Sequence, residues 1–186
     1  MDAVTRPFPL SEGREPGYDP REVDAYLAEA RRQYAGNGAA ALLLSSTAIR
    51  HASFAMQRHG YAPGPVDAAL ERLEDAFALR ERERAVEQRG EDAWRAEALA
   101  TSEVIQNRLG RPDGERFERT GLLTRGYSTD EVDRYARRLT RYLRDERCGE
   151  VNEVRSIAFR TRRNGYSEAQ VDMLLDASID VLLALR

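Results

Sequence analysis

Apolar residues recur along this chain at the three-to-four-residue spacing of helices that bury one face. Four such stripes begin at valines, namely Val23, Val66, Val132 and Val171. Because no stretch alternates convincingly between apolar and polar residues, the pattern predicts no strands. The fold class expected from the pattern is therefore all-α.

Each stripe begins inside one eight-residue motif, G-Y-x-x-x-x-V-D, which occurs four times. The motif residues are Gly17, Tyr18, Val23, Asp24, Gly60, Tyr61, Val66, Asp67, Gly126, Tyr127, Val132, Asp133, Gly165, Tyr166, Val171 and Asp172. Copies one and three carry Phe8 and Phe117 ten residues before the tyrosine, whereas copies two and four share a different upstream pattern that contains Phe54 and Phe159. This A-B-A-B order predicts tandem helical-hairpin repeats.

The spacing within the motif fits the start of a helix. The predicted N-caps are Asp19, Ala62, Ser128 and Ser167. Each tyrosine then precedes a cap and forms a hydrophobic staple with the valine, and residues Glu22, Glu131 and Gln170 complete capping boxes. The aspartate either pairs with a nearby arginine or occupies a favourable first turn. In copies two and four the glycine is expected to end a preceding helix in the left-handed conformation.

The segments between the motifs are predicted from their composition. They are a loop at Gly36-Asn37-Gly38, a helix over about 40–59, a charged helical stretch over 65–109 with a break at Gly90, a linker at 110–114 and a turn near Cys148-Gly149. The linker predicts two domains. Residues 1–110 would hold the first motif pair with the long charged helix, and residues 111–186 the second pair.

The four motif helices need partners, because single helices of this length are marginal in water. The alternating order predicts that copy one pairs with copy two and copy three with copy four. Val23, Tyr26 and Leu27 would then face Val66, Leu70 and Leu73, while Val132, Tyr135 and Leu139 would face Val171, Leu174 and Leu175. The competing arrangement pairs copies of the same kind in one interleaved core.

Composition and charge narrow the function. A net charge of -3 argues against a basic nucleic-acid binder, and a chain whose 29 basic residues are all arginine has no lysine for Schiff-base or P-loop chemistry. His51 and His59 lack metal-ligand spacing, and no acid–base pair or activated nucleophile stands out. We therefore predict no catalytic, cofactor-binding or metal-binding residues and no enzyme. The single cysteine, Cys148, and the lack of a signal peptide or a spanning segment of ~20 residues favour the cytoplasm.

The segments from Gly17 to Leu27 and from Arg125 to Asp133 resemble the N-terminal DivIVA domain of bacterial cell-division and cell-pole scaffolds. The resemblance implies a domain that pairs as a dimer, contacts membrane through a Phe-Arg corner before Gly-Tyr, and precedes a long coiled coil. The matching corners here are Glu15-Pro16, Arg58-His59, Thr124-Arg125 and Arg163-Asn164, and none has the phenylalanine. We therefore expect no strong binding to anionic vesicles by the protein alone.

The resemblance implies a protein–protein interaction module or scaffold adaptor that binds a DivIVA-type or other division protein. Recruitment to the septum or pole and homo-oligomer formation are part of this expectation. The candidate partner-binding residues are Arg58, His59, Arg125, Arg162 and Arg163. Their ordinary interpretation is a solvated charged face. The alternative function is nucleic-acid binding through Arg-rich corners, since a helix-Gly-helix corner loosely resembles a helix-turn-helix.

Overall fold

The computed structural model describes residues 6–36, 44–144 and 151–185, and these ranges are predominantly helical. The helices are α1 (Pro20–Ala35), α2 (Ser46–Arg50), α3 (Pro63–Arg89), α4 (Glu91–Leu109), α5 (Thr129–Arg144), α6 (Val151–Ser156) and α7 (Glu168–Ala184). The strands are β1 (Pro16–Tyr18), β2 (Met56–Arg58), β3 (Arg125–Tyr127) and β4 (Thr161–Arg163). No helix in the described ranges has the length and apolar character needed to cross a bilayer.

The prediction of a chain without strands is wrong at these four segments. β1 pairs antiparallel with β2, and β3 pairs antiparallel with β4. Each strand has three residues, which is too short to display a period-two pattern. The pairing therefore depends on backbone groups that meet in the folded chain, and the sequence carries no local signal for it.

The predicted starts of the motif helices are confirmed. α1, α3, α5 and α7 each begin one residue after the predicted N-cap. Pro20 and Pro63 occupy the first helical position, where a missing N–H leaves no hydrogen bond unmade. The predicted break at Gly90 is also confirmed, because this glycine has a φ of +85° between α3 and α4.

The helix predicted over about 40–59 is wrong beyond Arg50. α2 ends at this residue, and the chain then leads to β2. The backbone groups between them are used by the first motif, since Asp19 N donates to Ala55 O over 2.8 Å. Residues 37–43, which include most of the predicted Gly36-Asn37-Gly38 loop, and the predicted turn near Cys148-Gly149 lie outside the described residues.

The contacts divide the chain into two compact units, Met1–Glu81 and Arg82–Arg186, hereafter unit 1 and unit 2. The predicted boundary between residues 110 and 111 lies inside unit 2. The physical reason is that α4 buries Ala98, Ile105 and Leu109 and packs against α5 and α7. The linker at 110–114 therefore joins helices of one unit.

The core of unit 1 joins the first motif to the second. Val23, Leu27, Tyr61 and Val66 form one buried cluster. The partly buried side chains packed against it are Phe8, Leu10, Tyr18, Phe54, Leu70 and Leu73. Copy one therefore pairs with copy two, as the alternating order predicted.

Unit 2 joins the third motif to the fourth in the same way. Val132 and Val171 share a cluster with Phe117 and Tyr166, and Leu174 and Leu175 pack against it. A second and larger cluster, which includes Tyr135 and Leu139 of α5, extends to residues of α4, α6 and α7. The predicted pairing of copies three and four is confirmed.

Candidate interaction site

The two Gly-Tyr segments of unit 1 run antiparallel and exchange backbone hydrogen bonds. Tyr18 N donates to Tyr61 O over 2.9 Å, and Tyr61 N donates to Tyr18 O over 2.8 Å. A Cβ atom on Gly60 would lie 2.3 Å from Gly17 O, and one on Gly17 would lie 2.4 Å from Tyr61 O. Both residues must be glycine because the two backbones approach so closely.

Unit 2 has the same arrangement. Tyr127 N donates to Tyr166 O over 3.0 Å, and Tyr166 N donates to Tyr127 O over 2.9 Å. A Cβ atom on Gly165 would lie 2.4 Å from Gly126 O, and one on Gly126 would lie 2.2 Å from Tyr166 O. Close approach thus explains the glycine of all four motifs.

The predicted left-handed conformation of the glycines in copies two and four is wrong. The residues with positive φ are their predecessors, His59 at 55° and Asn164 at 54°. The chain turns at these residues, directly after β2 and β4, so each glycine enters the crossing with an ordinary backbone conformation. Asparagine and histidine are among the residues that tolerate this region best.

The motif tyrosines and aspartates bond to each other across the paired copies. In unit 1 the Tyr61 hydroxyl donates to the Asp24 carboxylate at 3.2 Å. Burial and the nearby Asp67 carboxylate raise the pKa of the Tyr18 hydroxyl.

The tyrosine contact was not predicted for any aspartate, whereas the predicted pairing with an arginine is confirmed for Asp133, which forms an ion pair with Arg116. Tyr61 is also more than a staple on its own helix, because its buried ring packs edge-on against Phe8 with centroids 5.3 Å apart.

Unit 2 repeats these crossed bonds in a more buried form. The Tyr166 hydroxyl donates to Asp133 at 3.0 Å, and Phe117 packs edge-on against Tyr166. Burial and the nearby Asp172 carboxylate raise the pKa of the Tyr127 hydroxyl. Glycine, tyrosine and aspartate of each motif thus serve the contact between two copies. The valines occupy the core beneath it.

The predicted capping boxes are wrong. The Glu22 carboxylate accepts the Ala55 N–H at 2.8 Å, and the Glu131 carboxylate accepts the Arg160 N–H at 2.9 Å. The amide oxygen of Gln170 accepts the Glu118 N–H at 3.0 Å. These side chains reach the backbone of the paired copy rather than their own N-cap, so they also join the two copies.

Asp133 differs from its counterpart Asp24 because it has a buried cation beside it. Arg116 and Asp133 form an ion pair of 2.7 Å, with side chains only 7% and 5% exposed. Asp133 also accepts the Gly114 N–H at 2.8 Å. Arg116 was not predicted as a site residue. It lies one residue before the motif phenylalanine of copy three, where copy one has Pro7.

The buried hydroxyl of Tyr166 predicts a pH effect. Burial raises the pKa of Tyr166 to about 12, and the adjacent Asp133 carboxylate also raises it. The folded state holds this proton more tightly than the unfolded chain, in which tyrosine titrates near pH ~10. The stabilisation is therefore complete below pH ~10 and is lost as the pH rises towards ~12.

We expect the Tyr166→Phe variant to lose less stability than the wild type over this alkaline range. The urea midpoint of unit 2, followed from about pH 9 to pH 12, measures the difference. Parallel curves for the wild type and Tyr166→Phe would contradict the assignment.

The five predicted partner-binding residues are exposed and lie at the strand pairs rather than on helix faces. Arg58 and His59 lie at the end of β2 in unit 1. In unit 2, Arg125 lies on β3, and Arg162 and Arg163 lie on β4. Arg125 is directly opposite Arg163 in the strand register. Arg125 and Arg163 therefore share one face of the strand pair, whereas Arg162, the next residue along β4, belongs to the opposite face.

The loop before β3 carries two exposed leucines that were not predicted as site residues. Leu122 and Leu123 lie in the loop before β3, and 77% and 90% of their surfaces are exposed. We call this loop, residues 121–124, the leucine tip. A leucine pair directly before a charged Gly-Tyr strand was the available signal, but apolar residues in a sequence suggest burial by default.

Within the described ranges, no group of three or more His, Cys, Asp or Glu side chains is arranged to hold a metal ion. No family model, curated protein or solved structure matches the chain.

Proposed function

We propose that this chain is a non-enzymatic scaffold adaptor composed of tandem DivIVA-like helical-hairpin repeats in A-B-A-B order. The observation that carries the proposal is the reciprocal Gly-Tyr crossing. In each unit two motif copies of one chain exchange backbone hydrogen bonds, and a tyrosine of one copy donates to an aspartate of the other. This supports the interpretation of each unit as an internal counterpart of the dimer that the family resemblance implies.

The motif residues serve the crossing itself, which leaves recognition to the surface beside it. Arg125 and Arg163 are like charges directly opposite each other on paired strands, an arrangement that costs stability. The fold does not require it, because unit 1 has Pro16 opposite Arg58 at the same register. No salt bridge within the described ranges involves Arg125 or Arg163. An acidic partner would relieve this repulsion.

The proposed partner is accordingly a protein with an acidic surface, of the division or cell-pole class that the resemblance implies. Recruitment to the septum or pole would follow from such a partner. Because none of the four matching corners has the phenylalanine, we still expect the protein alone to bind anionic vesicles only weakly.

Affinity capture from the native host tests the proposal with two variants of equal charge change. Arg162→Glu/Arg163→Glu alters the predicted surface, while Arg134→Glu/Arg141→Glu alters exposed arginines of α5. We expect a saturable protein partner whose recovery falls at least about tenfold in the first variant only. A tenfold loss of affinity corresponds to roughly 1.4 kcal/mol, and the loss of charged interface contacts can cost that much binding free energy. Equal recovery with both variants, or no saturable partner, would contradict the proposal.

The alternative function, nucleic-acid binding, is favoured by the same cluster of Arg125, Arg162 and Arg163. Binding through phosphates would weaken steeply between about 50 and 200 mM salt. A DNA or RNA band shift with that salt dependence, lost in Arg162→Glu/Arg163→Glu, would favour this alternative over the adaptor.

A further inference from the structure

The outer side of β4 in unit 2 is a free strand edge. Within the described residues, no strand or isolated bridge lies along it. Asn164 N donates to Thr124 O over 3.2 Å, so the pair that continues the register of β3 and β4 by one residue is a bonded pair. In an antiparallel ladder, bonded residues alternate with residues whose N–H and C=O groups point away from the partner strand. On β4 the outward-pointing residues are therefore Thr161 and Arg163.

The outer side of β3 shows what such groups do when a neighbour is present. Tyr127 lies opposite Thr161, and its outward N–H and C=O exchange hydrogen bonds with Tyr166. Beyond the ladder itself, no hydrogen bond in the described part of the chain involves the N–H or C=O of Thr161 or Arg163. All residues of β4 are exposed. The edge therefore offers donors and acceptors to an extended segment.

One face of this strand pair is cationic. Arg125 and Arg163 lie directly opposite each other, at a position where the strands exchange no backbone bonds and side chains come closest. Neither arginine forms a salt bridge within the described residues. Because successive residues point to opposite faces, every second side chain of a strand added at this edge would share the face that carries the two arginines.

Unit 1 has the same kind of edge without the pair of cations. β2 is exposed along its whole length. Asp19 N donates to Ala55 O, and backbone bonding alternates from this pair, so the outward-pointing residues of β2 are Met56 and Arg58. Arg58 lies opposite Pro16 rather than an arginine. The arginine pair is therefore a feature of unit 2 that formation of the edge does not require.

We propose that β4 binds an extended acidic segment of a partner protein as a third strand. The backbone of the segment would bond to the outward N–H and C=O groups of Thr161 and Arg163. Its carboxylates, placed at alternate positions, would face Arg125 and Arg163. The inference rests on the proposed function, because it specifies how the acidic partner proposed there is recognised.

Both features of the site favour a protein strand with acidic side chains. An edge bonds to a backbone whose donors and acceptors alternate along an extended chain, which nucleic acids and lipids lack. The arginine pair needs anions, and charge-assisted bonds from arginine to carboxylates are strong. A second copy of β4 is disfavoured as the added strand, because it would bring further arginines against the first pair.

Binding of a synthetic heptapeptide, acetyl-T-E-V-E-V-E-T-amide, to the full chain provides the test. Since the edge is only three residues long, we expect a dissociation constant on the order of 0.1–1 mM. In an NMR titration, the amide signals of Thr161 and Arg163 should shift and their protons should exchange more slowly with solvent. The amides of Met56 and Arg58 in unit 1 should change much less. The same peptide with glutamine for glutamate should bind at least about tenfold more weakly.

N-methylated peptides of identical charge test the backbone contact. In the antiparallel orientation, which is slightly the more stable, the glutamates that face the arginines also direct their N–H groups at β4. The N–H groups of the valines point away from it. Methylation of the glutamate nitrogens should therefore abolish binding, whereas methylation of the valine nitrogens should preserve it. Equal binding by the two methylated peptides would overturn the inference.

A matched pair of proline variants tests the edge from the side of the protein. Thr161→Pro removes an outward N–H without removing a bond of the ladder, and Met56→Pro makes the same change at the equivalent position of unit 1. We expect Thr161→Pro to bind the peptide at least about tenfold more weakly and Met56→Pro to bind it as the wild type does.

A matched pair of arginine variants tests the charge. Arg163→Glu alters the face that carries the arginine pair, and Arg162→Glu makes the same charge change on the opposite face. Arg163→Glu should weaken peptide binding at least about tenfold, and Arg162→Glu less than about threefold. Arg163→Glu also places a carboxylate opposite Arg125, which favours the strand pair, so its loss of binding would not arise from unfolding.

Several other results would overturn the inference. They are a wild type that does not bind the peptide at ~2 mM, a bound peptide that leaves the Thr161 and Arg163 amides unchanged, and equal losses in the two arginine variants. Loss of binding in Leu122→Ser/Leu123→Ser but not in Thr161→Pro would instead assign the peptide to the leucine tip. Shifts of the same amides with single-stranded DNA but not with the peptide would assign the arginines to phosphate.

Failure of this inference is distinguishable from failure of the adaptor proposal. If a partner is captured from the host through Arg162 and Arg163 but the peptide does not bind, the adaptor proposal stands and the partner is recognised through a folded acidic surface. If the peptide binds at the edge but no partner is captured, the strand inference is supported and the adaptor proposal fails.

Discussion

Replacing Gly60 by alanine is expected to destabilise unit 1 by roughly 3–5 kcal/mol or more, which is at the upper end for a single substitution. The new Cβ atom would lie 2.3 Å from Gly17 O, 2.4 Å from Gly17 C and 2.5 Å from Tyr18 O. These are backbone atoms held by the reciprocal Tyr18–Tyr61 bonds, so they can move only if the crossing opens. Urea unfolding followed by circular dichroism measures the loss.

Gly64 is the matched control, because it lies four residues away in the first turn of α3. A Cβ atom there would meet no atom within 4 Å. Gly64→Ala should therefore be neutral or stabilise the helix by about 0.5–1 kcal/mol. A loss below ~1 kcal/mol in Gly60→Ala would show that the two backbones do not approach as closely as described. Gly165→Ala repeats the test in unit 2.

The second large effect is expected for Asp133→Ala, with a loss of about 3 kcal/mol or more in the stability of unit 2. The substitution leaves the buried Arg116 guanidinium with Asp113, an exposed carboxylate, as its remaining ionic partner. Breaking a buried ion pair from one side typically costs ~3–5 kcal/mol. The Tyr166 hydroxyl and the Gly114 N–H lose their acceptor as well.

Asp24→Ala is the comparison, because Asp24 makes the equivalent tyrosine contact on an exposed position and forms no salt bridge within the described residues. Its loss should be about 0.5–1.5 kcal/mol, the usual value of one hydrogen bond. Equal losses in the two variants would contradict the role assigned to Arg116. Chemical denaturation of both variants under the same conditions provides the measurement.

Features that depend on residues close together in the sequence could be predicted from the sequence alone. Helix starts after Asp19 and Ser128 follow from local caps and prolines, and the valine stripes follow from helical periodicity. The pairing of copies was also predictable, because a short amphipathic helix must bury its stripe and the A-B-A-B order singles out the adjacent copy. The helix starts and the stripes rest on rules that act within a few helical turns, whereas the pairing of copies rests on the order of the repeats along the chain.

The features that sequence analysis missed depend on contacts between distant segments. Gly60 was expected to end a helix in the left-handed conformation. It is instead required because the backbone of Gly17, from a distant segment, crosses it too closely for a Cβ atom. The carboxylate of Glu22 fits a capping box by spacing, yet Ala55 N–H offers it a better partner once the copies pair. The exposure of Leu123 likewise depends on where the folded chain places its loop.

The most direct test of the intrachain crossing is an isotope-filtered NMR experiment on a mixture of labelled and unlabelled protein at low concentration. We expect strong nuclear Overhauser effects between the Hα protons of Gly17 and Gly60, and between those of Gly126 and Gly165, within labelled chains only. Effects that connect labelled to unlabelled chains, or the absence of these contacts, would contradict the claim that each unit pairs two motif copies of one chain.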